Sequence, residues 1–231
     1  PPRSTLFPYT TLFRSDADGG DGNGQDQEAR LAFRNAAGAI INVADSSDRI
    51  HIGFDIVDAP GTNASQIIKT GAGTLQLSGS RTNSYSGDWV VNGGSLELGK
   101  SGGGDKAIRG DITINGGEVV LLASDQIDDT SDIALTGGNF SLGGNRDETV
   151  ATVGGNGTIV LFSGTLTMGG QNDTWTHPGA INGNGGSIAK VGTGALTLTG
   201  RDHNHPGGKT FDTPNGALEL DGNHTHANSQ E

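Results

Sequence analysis

Along most of this chain, apolar residues come in pairs one position apart and then give way to glycine-rich turns. The pairs are Leu75-Gln-Leu77, Leu96-Glu-Leu98, Val119-Val-Leu121, Phe140-Ser-Leu142, Ile159-Val-Leu161, Leu196-Thr-Leu198 and Leu218-Glu-Leu220. Alternation with a period of two marks a strand that buries one face. The first units follow one another at steps of 21, 23 and 21 residues, from 75 to 96, 119 and 140. A second series, Val91, Ile112, Ile133 and Val153, interleaves with the first at steps of 21, 21 and 20. Two series that share one period predict a single coil repeated along an axis.

Most of these strands are led by turn residues: Asn92-Gly93-Gly94, Asn115-Gly116-Gly117 and Thr136-Gly137-Gly138. Glycine supplies positive φ and asparagine tolerates it, so the chain is expected to turn a corner at the same point of each circuit. Short alternating strands with fixed corners predict an all-β fold, a parallel β-helix (β-solenoid) with one axial core. Gly-punctuated strands also suit a β-sandwich, but constant spacing over many units favours the solenoid. The segment 26–37, "DQEARLAFRNAA", has some helical character and reads equally well as the start of a strand.

Composition agrees with a core made by stacking. With 41 glycines, 32% hydrophobic and 5% aromatic residues, the chain has little bulk for a compact enzyme core. A net charge of -12 combined with low hydrophobicity suits disorder, yet a disordered chain has no reason to keep a strand period. Asp plus Glu outnumber Lys plus Arg by 26 to 14, and the cations are scattered, so no basic face for nucleic acid is expected. No apolar run approaches the ~20 residues of a membrane-spanning helix, and no signal-peptide pattern opens the sequence. Zero cysteines exclude disulfides and thiolate metal sites.

Two stretches carry a family likeness. "KTGAGTLQLSGSRTNSYSGDWVVNGGSLELG", residues 69–99, and "KVGTGALTLTGRDHNHPGGKTFDTPNGALEL", residues 190–220, resemble the autotransporter-associated β-strand repeat of bacterial passenger domains. With the segments between, the likeness covers most of residues 65–221. It implies a right-handed parallel β-helix exported to the bacterial cell surface, associated with the outer membrane through a C-terminal barrel that lies outside this sequence. It further implies a non-catalytic structural or adhesive module, monomeric, whose partners are surface glycans or other cells. The second copy departs from the first at His205-Pro206, which stands for Tyr85-Ser86, and at Thr213-Pro214-Asn215-Gly216, which stands for Val91-Asn92-Gly93-Gly94. Proline lacks a donor, so a local break in that ladder is expected.

Several chemical motifs read better as structure. "GSLELGKS", residues 94–101, matches the phosphate-loop pattern, but Leu96 and Leu98 read as a strand, and three glycines follow where a helix must begin. The same glycines exclude a nucleophile elbow at "GKSGG", residues 99–103. "RGD", residues 109–111, leads straight into Ile112-Thr-Ile114, which places Asp111 at a strand entrance. "DQIDDTSD", residues 125–132, offers carboxylates for calcium or for sugar hydrolysis but has no aromatic platform beside it. "HNH" at 203–205 and "HTH" at 224–226 stand 21 residues apart and read as exposed turn histidines rather than metal ligands. "GGDGNGQDQ", residues 19–27, departs from the calcium nonapeptide at Gly24 and Gln27 and reads as an acidic linker. No catalytic, cofactor-binding or metal residue is assigned and no cofactor is expected. The competing reading is a β-helix polysaccharide lyase or glycoside hydrolase with its site at Asp125 to Asp132 and Arg146.

"TLFPYTTLFRS", residues 5–15, differs in composition from all that follows. It is the letter-for-letter translation of a common sequencing-adapter string, so residues 1–15 are expected to be foreign and disordered. The organisation expected is then an artefact over 1–15, an acidic Gly-rich linker over 16–27 and a β-helix, a fragment of a longer one, over 28–231.

Overall fold

The computed structural model describes residues 5–6, 10–13, 30–33, 38–58, 65–102, 104–183, 185–200, 211–212 and 217–220. Among them there is no helix, and nearly every strand pairs in parallel with one from the neighbouring coil. The result is a three-sided β-solenoid. Its first face stacks Ala39–Asn42, Ile67–Thr70, Trp89–Val91, Ile112–Ile114, Asp132–Leu135 and Thr152–Gly154. Its second stacks seven strands: Arg49–Ile52, Thr74–Gly79, Ser95–Lys100, Glu118–Leu121, Asn139–Ser141, Thr158–Val160 and Ile181–Asn182.

The third face is ordered at its two ends and interrupted between them. Arg30–Phe33 pairs with Asp55–Asp58 at one end, and Glu148–Val150, Thr165–Met168, Ser187–Lys190 and Phe211–Asp212 form a ladder at the other. Between these, among the described residues, the ladder is reduced to the bridge from Ile108 to Ile127 and to single main-chain bonds such as Tyr85 N–H to Ile56 O at 3.0 Å and Asn83 N–H to Lys106 O at 2.9 Å.

Burial alternates along each strand as the sequence pattern requires. Leu75, Leu96, Val119, Phe140, Ile159 and Ile181 lie in register across six coils, and each is essentially inaccessible. One coil has nothing to bury these side chains against, so the core exists only where coils stack. The predicted corners are present: Gly94, Gly117 and Gly138 take φ of 65°, 74° and 69°.

Two expectations need correction. The second series begins at Trp89, which pairs with Ile112, whereas Val91 pairs with Lys69 and Ile114. A two-residue offset keeps a side chain on the same side of its strand, so the sequence pattern is equally satisfied by either start. The first series also divides after Ile159. Leu196 and Leu218 belong to a different sheet, in which Ala195–Leu198 lies between Trp175–His177 and Ala217–Leu220. That sheet continues the first face, since Gly179 donates to Gly155 O at 3.2 Å and Thr176 O lies 3.3 Å from where a Cβ on Gly154 would stand. Within 26–37, where helix and strand were equally open, the described residues take the strand alternative, Arg30–Phe33.

The opening residues, expected to be disordered, contribute two short strands. Thr5–Leu6 pairs antiparallel with Ala39–Asn42, and Thr10–Phe13 antiparallel with Arg30–Phe33. An open parallel edge presents unpaired amides and carbonyls and accepts such strands. The proposed linker over 16–27 lies outside the described residues.

Candidate functional site

What the coils offer to the outside is a set of polar columns at the corners. At the turn from first to second face, Thr70 Oγ1 donates to Asn42 Oδ1 at 3.2 Å. Further along the same corner, Asn115 Nδ2 donates to Asn92 Oδ1 at 2.9 Å, and Thr136 Oγ1 donates to Asn115 Oδ1 at 2.8 Å. At the entrance to the first face the column is acidic. Asp111 N–H donates to Asp88 Oδ1 at 3.1 Å, Asp132 N–H to Asp111 Oδ1 at 2.9 Å, and Thr152 Oγ1 to Asp132 Oδ1 at 2.6 Å. Each carboxylate is spent on the next coil.

This places the RGD motif. Asp111 precedes Ile112–Ile114 as expected, and Arg109 Nε stands 3.8 Å from Asp128 Oδ2. The acidic stretch over 125–132 is likewise committed internally. Lys106 Nζ pairs with Asp125 and, at 2.8 Å, with Asp129. Asp128 accepts from Thr130 N and Oγ1 at 3.1 and 2.7 Å. These bonds and the Arg109 charge hold Asp128 below the usual range even though burial opposes that shift. Arg146 donates to Gly143 O rather than facing a second carboxylate. No group of three or more His, Asp or Glu able to hold a metal occurs among the described residues.

The phosphate-loop match is a strand, Ser95–Lys100, as its leucines predict. Lys100 turns under the third face, fully buried, with Nζ 3.3 Å from Phe54 O and 3.9 Å from Asp55. Burial pushes its pKa down, against the pull of Asp55 and Asp105. In "GKSGG", Gly103 lies outside the described residues. So do the histidines at 203–205 and 224–226, the acidic segment at 19–27, and Pro206 and Pro214 with the ladder break expected beside them.

Buried polar residues that the sequence reading passed over hold the coils together. Lys69 heads the first repeat copy and donates to Thr70 O, Gly71 O and Gly93 O at 2.9, 3.1 and 2.9 Å, so one ammonium caps a corner and ties it to the next coil. Burial lowers its pKa to about 8. Lys190 heads the second copy, donates to Val191 O and Gly192 O at 2.5 and 3.2 Å, and lies 5.5 Å from the Trp175 ring. The signal was available: both copies open on Lys followed two positions later by Gly.

Where the third-face ladder lapses, side chains replace it. Asn83 Oδ1 accepts Ile56 N–H at 2.9 Å while its Nδ2 donates to Ala107 O at 2.8 Å. Gln126 Oε1 accepts Lys100 N–H at 2.6 Å, and its Nε2 donates to Lys100 O and Ser124 O at 3.2 and 3.0 Å. Glu148 accepts Gln126 N–H at 2.8 Å and Ile127 N–H at 3.4 Å. Burial raises its pKa to about 8, against those two bonds and the Lys106 charge. Unpaired buried amides cost about 1–3 kcal/mol each, which explains why amide and carboxyl side chains occupy these places.

Comparison with known proteins agrees with this geometry. The Passenger-associated-transport-repeat model matches residues 67–98 and 188–212. The adhesin BmaC autotransporter of Brucella suis biovar 1 (strain 1330) is 30% identical over 190 residues, which is 81% of this chain and 4% of that protein. The chain therefore spans a small part of the curated relative it matches. No solved structure matches.

Proposed function

We propose that this chain, which belongs to the autotransporter passenger-repeat proteins, is a non-catalytic module of a cell-surface β-helix that serves as a stalk or an adhesive face. The observation that carries this reading is the internal commitment of the outward polar groups. The aspartates at 88, 111 and 132 and the asparagines at 92 and 115 bond from coil to coil, and Lys106 neutralises Asp125 and Asp129. Hydrolysis of a sugar needs two carboxylates facing a substrate across a cleft, and these carboxylates face their own neighbours. The outward groups recur from coil to coil as a surface repeated along an axis, which suits many weak contacts better than one site. Association with the outer membrane and contact with surface glycans or other cells belong to the same proposal, in keeping with the adhesin to which the chain is similar.

The test couples two assays. Beads coated with the protein are scored for adherence to cells and to glycan-coated surfaces. The same protein is incubated with a polysaccharide panel, with and without calcium, and reducing ends and unsaturated products are measured. Adherence without product release is expected. Product release overturns the reading in favour of a lyase or hydrolase. Silence in both assays selects the stalk over the adhesive face.

A further inference from the structure

Asn-Gly pairs occur at Asn23, Asn92, Asn115, Asn156, Asn182, Asn184 and Asn215. Such a pair is chemically labile because glycine, with no Cβ, lets its amide nitrogen approach the preceding side-chain amide carbon. Four of these pairs, those at 92, 115, 156 and 182, are fully described, and the fold treats them differently.

Asn115 is held at three points. Its Nδ2 donates to Asn92, its Oδ1 accepts from Thr136, and the Gly116 N–H donates to Val91 O at 3.3 Å. Asn92 shares that ladder through its Oδ1. Behind Asn156, the Gly157 N–H donates to Leu135 O at 2.9 Å. Asn182 has none of these restraints. Its carbonyl accepts Leu161 N–H at 2.7 Å, but its half-buried side chain and the Gly183 N–H have no hydrogen-bond partner among the described residues.

We infer that Asn182 is the site, among these four, at which the folded solenoid deamidates. The Gly183 amide nitrogen attacks Asn182 Cγ and forms a new C–N bond, the bond from Cγ to Nδ2 breaks, and Nδ2 leaves as ammonia with the proton that Gly183 gave up. Water then opens the five-membered succinimide at either carbonyl, giving aspartate or isoaspartate. The balance is one water consumed and one ammonia released, with no oxidant or reductant. Isoaspartate carries the main chain through the former side chain and lengthens it by one atom. The pairing of Ile181 with Ile159 and of Asn182 with Val160 joins this coil to the second face, and the insertion disrupts it. This inference stands apart from the adhesive reading and survives its failure.

The test is an incubation of the purified protein at mildly alkaline pH and body temperature, with peptide mapping by mass spectrometry. Fragmentation distinguishes Asn182 from Asn184 and isoaspartate from aspartate. Conversion at Asn182 is expected to run about tenfold faster than at Asn115, where the attacking amide is committed to a hydrogen bond and the side chain is fixed at both ends, a difference of about 1.4 kcal/mol in barrier. In concentrated urea the two rates converge. Equal rates in the folded protein, or conversion at Asn92, Asn115 or Asn156 ahead of Asn182, overturn the inference.

Discussion

At the scale of single residues, Glu148 contributes an unusual pH dependence. Its folded pKa of about 8 lies above the ordinary value of 4.5 because burial disfavours the charge. Between these values the folded state keeps a proton that the unfolded chain has released. The associated stability is fully present below the lower value and is lost as pH rises through the upper one. Glu148→Gln cannot titrate, so its urea midpoint should fall less than the wild type's between about pH 5 and about pH 9. Identical slopes for the two proteins would mean that Glu148 is already ionised in the fold. Little of this was legible beforehand. Glu148 stands beside Thr149 and Val150 in an ordinary strand sequence, and only the lapse of the ladder at 126–127 makes its carboxyl an acceptor for backbone amides.

At the scale of strands and corners the sequence was far more explicit. Asn-Gly-Gly before an alternating apolar pair predicts a corner and then a strand, and Gly117 shows why no other residue fits. It holds φ at 74°, and a Cβ there would lie 2.3 Å from Gly94 O in the coil before. Gly117→Ala therefore meets both a left-handed backbone and a carbonyl, and a loss of about 1–3 kcal/mol is expected. Thermal unfolding reads this as a lowered midpoint, and an unchanged midpoint would show that the corner can open without cost. The third face was less legible. Residues 83–85, 106–108 and 126–127 lack a regular alternation because Asn83 and Gln126 point inward as hydrogen-bonding groups, where a strand would place aliphatic residues.

For the whole molecule, stability accumulates coil by coil through contacts between neighbouring coils, with a few side-chain links that skip one coil, from Arg49 to Glu97 and from Lys100 to Phe54 O. Phe140 is fully buried between Val119 and Ile159, so Phe140→Ala should cost about 3–5 kcal/mol. Hydrogen exchange should show lost protection centred on Glu118–Leu121, Asn139–Ser141 and Thr158–Val160, with Ala39–Asn42 little changed. Uniform loss along the column would instead mean that the solenoid unfolds as one cooperative unit.

By itself the sequence determined the all-β class, the repeating coil and the placement of the corners, because each rests on local rules: alternation, turn chemistry and period. Tertiary structure alone decided which side of the column each strand occupies. The two repeat copies begin alike at Lys69 and Lys190, yet Lys69 lies on the first face and Lys190 on the third. Lys190 follows Lys69 by 121 positions, which make five circuits to Trp175–His177 and then two further sides. A strand sequence records which of its residues point inward but not which face it completes. That depends on the summed lengths of all the turns before it, and coils here vary from 18 residues, between Glu148 and Leu166, to 28, between Ala39 and Ile67.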